Sequence, residues 1–210
     1  MSKSSVAASR QKLLKLVQIA LLTAIIAIMA FIPSIGYIRT PLFEITLIVV
    51  PVSLGAVLLG PSAGLFLGTV FGLTSFIQCF GMSQLGVALM SVNPIFTFIV
   101  CMIPRMLMGW LTGLIFKAVQ KIDKTKFISY LTANIAGPLL NTILFTSTLF
   151  LLFSNAPVIA DLRASSGTAN IFTFAVWFVS ANGLIEAAIS AVVGTAISKA
   201  LAVALKKIKI

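Results

Sequence analysis

The sequence predicts an all-α integral membrane protein: one domain over residues 1–210, a bundle of six transmembrane helices with both termini cytoplasmic. Three observations carry this expectation. Hydrophobic residues make up 60% of the chain and charged residues only 9%, against about 25% charged in a soluble domain. The mean hydropathy is +1.15, more apolar surface than a water-soluble globule of this length can cover. Twelve of the 15 basic residues gather at the two termini and around one connection between apolar runs.

Residues 1–12 are polar and basic and read as a flexible N-terminal tail. The first apolar run, about 13–32, follows Lys3, Arg10, Lys12 and Lys15. It is too long for a signal-peptide core and further runs follow it, so it reads as a retained first helix. Pro33, Gly36 and Pro41 break the chain into a loop. A second span is expected over about 44–59, then a tight turn at Gly60-Pro61-Ser62 and a third span over about 62–78. Residues 79–92, with Gly81, Ser83, Gln84 and Gly86, read as a weakly apolar loop. Asn93-Pro94 opens the fourth span, which ends near Lys117. A basic connection, 118–127, leads to a fifth span over about 128–153. Residues 154–170 read as the longest loop. The sixth span runs from about 171 to 200 and is followed by Lys206, Lys207 and Lys209. A helix needs roughly 20 residues to cross the bilayer core, so the short second run and the long last one imply tilt.

The charge supports this count. Four basic residues lie at the N-terminus (3, 10, 12, 15), four around the fourth connection (117, 121, 124, 126) and four at the C-terminus (199, 206, 207, 209). With an even number of spans these twelve share one side, the cytoplasmic one. The opposite loops hold Arg39 and Arg163, and Arg105 lies inside a span.

The rare residues exclude several functions. There is no histidine, which removes Ser-His catalysis and histidine metal sites. The four acids, Glu44, Asp123, Asp161 and Glu186, are scattered, so paired-carboxylate and two-metal chemistry is not expected. No phosphate-binding G-x-x-x-x-G-K-[ST] loop occurs. The net charge of +11 reads as membrane topology; no basic face for nucleic acid is evident. The expectation is a protein that is not an enzyme and carries no metal or cofactor. Cys79 and Cys101 read as small packing residues.

The polar residues inside the spans are the candidate site. Arg105 stands about 16 Å into the fourth span at 1.5 Å per residue, near the middle of a roughly 30 Å core. A buried arginine there needs a partner. It either pairs with Glu186 or anchors an anionic ligand through bidentate bonds. Asn141 lies at similar depth in the fifth span, with Asn134 two turns earlier and Gly137-Pro138 between them loosening the helix. Asn182 and Glu186 share a face of the sixth. Thr74, Ser75 and Gln78 close the third helix on its outer half, and Asn93 opens the fourth. In the first helix Ala20 and Ala24 form a small-x-x-x-small face that permits close helix contact. Gly64, Gly68 and Gly72 repeat that spacing in the third, and Gly109 and Gly113 in the fourth.

These features resemble the substrate-binding S components of energy-coupling factor (ECF) vitamin transporters. The likeness rests on size, six spans, Ala20-x-x-x-Ala24 and the stretch 36–116. Within that stretch Gly36-Tyr37, Leu59-Gly60-Pro61 with Gly64, Phe71-Gly72-Leu73-Thr74-Ser75-Phe76, Asn93-Pro94 and Pro104-Arg105 are similar to the pantothenate branch. The resemblance implies a bacterial cytoplasmic-membrane subunit that binds a vitamin outside and delivers it inward. It would work with a transmembrane coupling subunit and two ATP-binding subunits. Ala20 and Ala24 would meet the coupling subunit, and loops 33–43 and 79–92 would gate the pocket. Arg105 would hold the pantothenate carboxylate. Asn93, Asn141 and Asn182 would serve its hydroxyl and amide groups, Thr74, Gln78 and Glu186 would complete the site, and Phe71, Phe76 and Trp177 would wall it. The alternatives are another vitamin (hydroxymethylpyrimidine, pyridoxine or riboflavin) and a self-contained secondary transporter, for which no inverted repeat is evident.

Overall fold

A computed structural model describes residues 3–32, 35–39, 44–123, 125, 127–167 and 170–208. The described chain is almost entirely helical. Helix α1 covers Lys3–Phe31. A short hairpin follows, β1 (Tyr37–Arg39) paired antiparallel with β2 (Glu44–Thr46), in the register Tyr37 to Thr46, Ile38 to Ile45 and Arg39 to Glu44. Then come α2 (Val49–Leu59), α3 (Pro61–Gln78), α4 (Gln84–Val92), α5 (Pro94–Gln120), α6 (Phe127–Phe153) and α7 (Pro157–Ser166). The C-terminal rod consists of α8 (Ile171–Phe178), a π-helical turn (Val179–Gly183), α9 (Leu184–Ile189), a second π-helical turn (Ser190–Gly194) and α10 (Thr195–Ile208).

Four stretches are long and apolar enough to cross a membrane: Ser9–Phe31, Pro94–Gln120, Phe127–Phe153 and Leu184–Ala204. Helix α3 has 18 residues, about 27 Å at 1.5 Å per residue. The expected second span differs. Residues 44–46 are strand, and α2 has only 11 residues, about 17 Å, too short for a roughly 30 Å core. Val49, Pro51, Val52, Ser53, Leu54, Gly55, Ala56 and Val57 are all buried. Such a helix, apolar all round, is a central one.

Three expected irregular segments are ordered. The N-terminal tail is helical from Lys3, since Ala, Arg, Gln and Lys favour helix and no Gly or Pro interrupts before Pro33. The expected loop 79–92 contains α4, capped by the Ser83 hydroxyl accepting from the Gly86 N–H at 3.2 Å. The expected loop 154–170 contains α7, started by Pro157 at its first turn and stopped by Gly167 in the left-handed conformation. Leu89 of α4 and Ile159 of α7 join Val100, Leu149 and Phe153 in one apolar cluster. Tertiary packing therefore ordered segments whose local polarity reads as loop.

Helices α3 and α5 approach backbone to backbone. A Cβ on Gly64 would collide with the Gly109 carbonyl, and one on Gly109 with the Gly64 carbonyl. A Cβ on Gly68 would strike the Arg105 carbonyl, and one on Gly72 would lie 3.0 Å from that of Cys101. In lipid, apolar side chains gain little by leaving the solvent, so such close packing is what holds helices together. At one end of this seam the Cys79 and Cys101 thiols are buried and 3.7 Å apart. At the α5–α6 connection, slight desolvation would raise the Asp123 pKa. Hydrogen bonds from Ser129 and Thr125 prevail and hold it at about 2. It stays an anion at the start of α6, where the helix dipole favours one.

Candidate functional site

Pro104 prepares the centre of the site. Proline has no N–H, so the carbonyl of Val100, four residues back, loses its helical partner. The Arg105 Nη1 donates to that carbonyl at 2.7 Å. The adjacent proline thus supplies an acceptor that keeps the guanidinium inside the bundle instead of reaching for the interface. Its carbon lies 4.5 Å from the centroid of the Phe145 ring and 5.5 Å from that of Phe71, within cation–π range. The Arg105 Nε is buried with no hydrogen-bond partner. Among the described residues Arg105 makes no ion pair within 4.0 Å, although it lies near enough for its charge to act on Glu186.

Phe145 sits four residues after Asn141, so Arg105 faces the side of α6 that carries Asn141. Asn141 is buried, and its Oδ1 has no hydrogen-bond partner. Phe71, Thr74, Ser75 and Gln78 recur on one buried face of α3, of which Phe71 meets the guanidinium. Thr74 Oγ1 donates to the Phe71 carbonyl at 2.9 Å, leaving its lone pairs open. Gln78 Nε2 donates to the Ala30 carbonyl, which ties α3 to α1. Ser75 Oγ and the Tyr37 hydroxyl lie 3.4 Å apart.

Glu186 is 3% exposed and holds three elements together. Its Oε1 accepts from the Thr46 backbone N–H at 2.6 Å, and its Oε2 from Thr142 Oγ1 at 3.2 Å. The carboxylate therefore latches the hairpin to α6 and to the rod. Asn182, also buried, lies in the first π-helical turn, next to Gly183, where an added Cβ would meet Leu139 and Thr142 of α6 at ordinary contact distance. π-turns rotate the helix face and recur at functional sites. Glu186→Leu is expected to leave the Thr46 N–H without its acceptor. The cost is about 1–3 kcal/mol, read as a lower unfolding midpoint and faster proteolysis at the hairpin. An unchanged cleavage rate there would refute the latch.

The structure thus sets Arg105 near Phe71 of α3 and Phe145 on the Asn141 side of α6, and joins Glu186 to Thr142 beside Asn141, with Asn182 four residues before Glu186. It does not bring Asn93 there. The Asn93 Oδ1 accepts from the Ile95 and Phe96 N–H groups at 3.0 and 3.1 Å and caps α5. Asn134 is fully buried at another level, where its Nδ2 donates to the Tyr130 carbonyl and to Ser198 Oγ. Phe71 is a wall beside Arg105, whereas Phe76 packs edge-on with Phe80 and Phe98, and Trp177 stacks on Phe174. In the sequence Thr46, Thr142 and Phe145 carry no assigned site role, and Tyr37 enters only within the family resemblance. For Phe145 and Thr142 the signal was present, because both share the turn of Asn141. For Tyr37 and Thr46 there was none, since their roles come from hairpin pairing. On α1, Ala20 and Ala24 are exposed in a face that also presents Leu13, Leu16, Val17, Leu21 and Ile28.

A comparison with curated protein sequences gave no match. Residues 14–198, most of the chain, match the family model described as "ECF transporter, substrate-specific component". The bundle of apolar helices and the enclosed polar cluster accord with that family, whose members bind a small molecule and act with an ECF coupling module. The chain belongs to the substrate-specific components of ECF transporters.

Proposed function

We propose that this chain binds pantothenate at the outer side of a bacterial cytoplasmic membrane and hands it inward. In this reading residues 1–210 form one domain with both termini cytoplasmic, in which β2 and the short α2 together make the second of six crossings. It works with a transmembrane coupling subunit and two ATP-binding subunits, since the sequence has no phosphate-binding loop of its own. One observation carries the choice of ligand. A guanidinium halfway along a 27-residue apolar helix lies near two aromatic rings, has an unpartnered Nε and makes no ion pair among the described residues. A small carboxylate supplies the missing charge through bidentate bonds. The unpartnered Asn141 Oδ1 then accepts from a ligand hydroxyl or amide, and Thr74 and Asn182 complete the polar contacts. Glu186 closes the site through the hairpin.

Titration calorimetry of the purified chain with pantothenate, riboflavin, pyridoxine and hydroxymethylpyrimidine tests this. One-to-one binding of pantothenate alone is expected. Binding of a different vitamin would keep the transporter class and discard the carboxylate argument. Uptake into vesicles by the chain alone, without ATP, would instead show a self-contained transporter.

The exposed Ala20–Ala24 face is the proposed seat of the coupling subunit, because small side chains let two helices approach closely. Ala20→Trp with Ala24→Trp is expected to prevent co-purification with the coupling subunit and to leave vitamin affinity unchanged. Normal co-purification of the double variant would move the interface elsewhere.

A further inference from the structure

A groove of about 700 Å³ lies between the start of α6 and the C-terminal rod, well apart from Arg105 in the sequence and on other helix faces. Its walls are Phe127 and Leu131 on one side and Ala196, Ala200 and Val203 on the other, with Lys199 at its edge. The alanines form a low floor between bulkier neighbours. From Ala191 to Val203 the groove runs along about 18 Å of helix at 1.5 Å per residue. That is the depth of about one leaflet of a roughly 30 Å core, and so the length of one acyl chain.

The polar groups are few and placed for an amphiphile. The Lys199 Nζ sits over the Phe127 ring, 5.2 Å from its centroid, where the aromatic face holds a cation at an apolar edge. Thr195 lines the groove, is 5% exposed, and its Oγ1 has no hydrogen-bond partner. Basic residues cluster in the sequence next to the two segments that line the groove. In the sequence Lys121, Lys124 and Lys126 precede α6, and Lys206 and Lys207 lie in the last turns of α10. The acid in the α5–α6 connection, Asp123, is occupied by hydrogen bonds from Thr125 and Ser129.

We propose that this groove binds one anionic phospholipid of the surrounding bilayer, with an acyl chain along the alanine floor and the phosphate at Lys199. The hydroxyl of Thr195 donates to an ester or phosphate oxygen, and the neighbouring lysines set the preference for an anionic headgroup. Basic pockets between membrane helices select acidic headgroups for this reason. The site is independent of the vitamin site and of the identity of the vitamin.

Native mass spectrometry of the whole chain released from mixed micelles tests it. Phosphatidylglycerol and phosphatidylcholine with the same acyl chains are supplied in equal amounts. One phosphatidylglycerol per chain is expected to be retained in preference to phosphatidylcholine. Lys199→Gln removes the charge and is expected to lower that occupancy roughly fivefold, the equivalent of about 1 kcal/mol per basic residue near a membrane surface. Ala200→Leu fills the floor without touching charge and is expected to lower retention of both lipids. Circular dichroism and a thermal scan verify that each variant is folded. Equal retention of the two lipids would overturn the proposal, as would undiminished phosphatidylglycerol binding in both variants. Loss of coupling-subunit assembly in the variants, with lipid binding intact, would also overturn it and assign the groove to that subunit.

Discussion

Arg105→Ala is expected to abolish pantothenate binding in a protein that remains folded. Truncating one partner of a buried, hydrogen-bonded charge pair costs about 2–5 kcal/mol, which is roughly thirtyfold to several-thousandfold in affinity. The guanidinium also satisfies the Val100 carbonyl that Pro104 leaves free, so the alanine variant loses some stability as well. Arg105→Lys separates the two effects. A lysine keeps a charge and a donor but lacks the planar fork that grips a carboxylate. The lysine variant is therefore expected to recover most of the stability and little of the affinity. Calorimetry with pantothenate and a thermal scan on each variant give both quantities. Wild-type affinity in the alanine variant would remove Arg105 from the site and with it the case for an acidic ligand.

Gly64→Leu is expected to prevent the native bundle from forming. The Gly64 and Gly109 backbones touch, and a side chain at either has nowhere to go except into a carbonyl of the opposite helix. Backbone cannot shift as a flexible side chain can, so α3 and α5 would have to separate along their length. That separation would also displace Phe71 from Arg105, because the same seam sets their distance. Gly183→Ala serves as the contrast, since its added carbon meets neighbours at 3.5 Å or more. Size-exclusion profile and yield in detergent are expected to collapse for the first variant and to match the wild type for the second. A well-folded Gly64→Leu protein would show that the seam can open.

The glycine spacing was legible in the sequence as small residues four apart in the third and fourth apolar runs. What those runs did not reveal is that the two sets face each other. Arg105 was legible for a different reason: an arginine in the middle of an apolar run is costly wherever the helix sits. Its partner was less so. The sequence offered Glu186 or an anionic ligand; in the structure the Arg105 Nη1 donates to a carbonyl released by the adjacent proline, and among the described residues it makes no ion pair with Glu186. Asn93 shows the opposite outcome. An asparagine before a proline at a helix start has a local use as a cap, and here its oxygen is taken up in that way.

By itself the sequence determined the solvent of this protein, its helical class, the long apolar helices and the ordering of its basic residues, because each depends on composition or on spacing along the chain. The tertiary structure decided that the second apolar run is a short buried helix behind a hairpin. It decided that α4 and α7 are helices docked on the bundle, and that the last helix carries two π-turns. It also decided what Glu186 does. Its partner Thr46 is 140 residues away, and the bond goes to a backbone N–H that every residue but proline possesses. No side-chain pattern announces such a contact. It exists only once the hairpin register and the packing of α6 against the rod have placed that group within reach of the carboxylate.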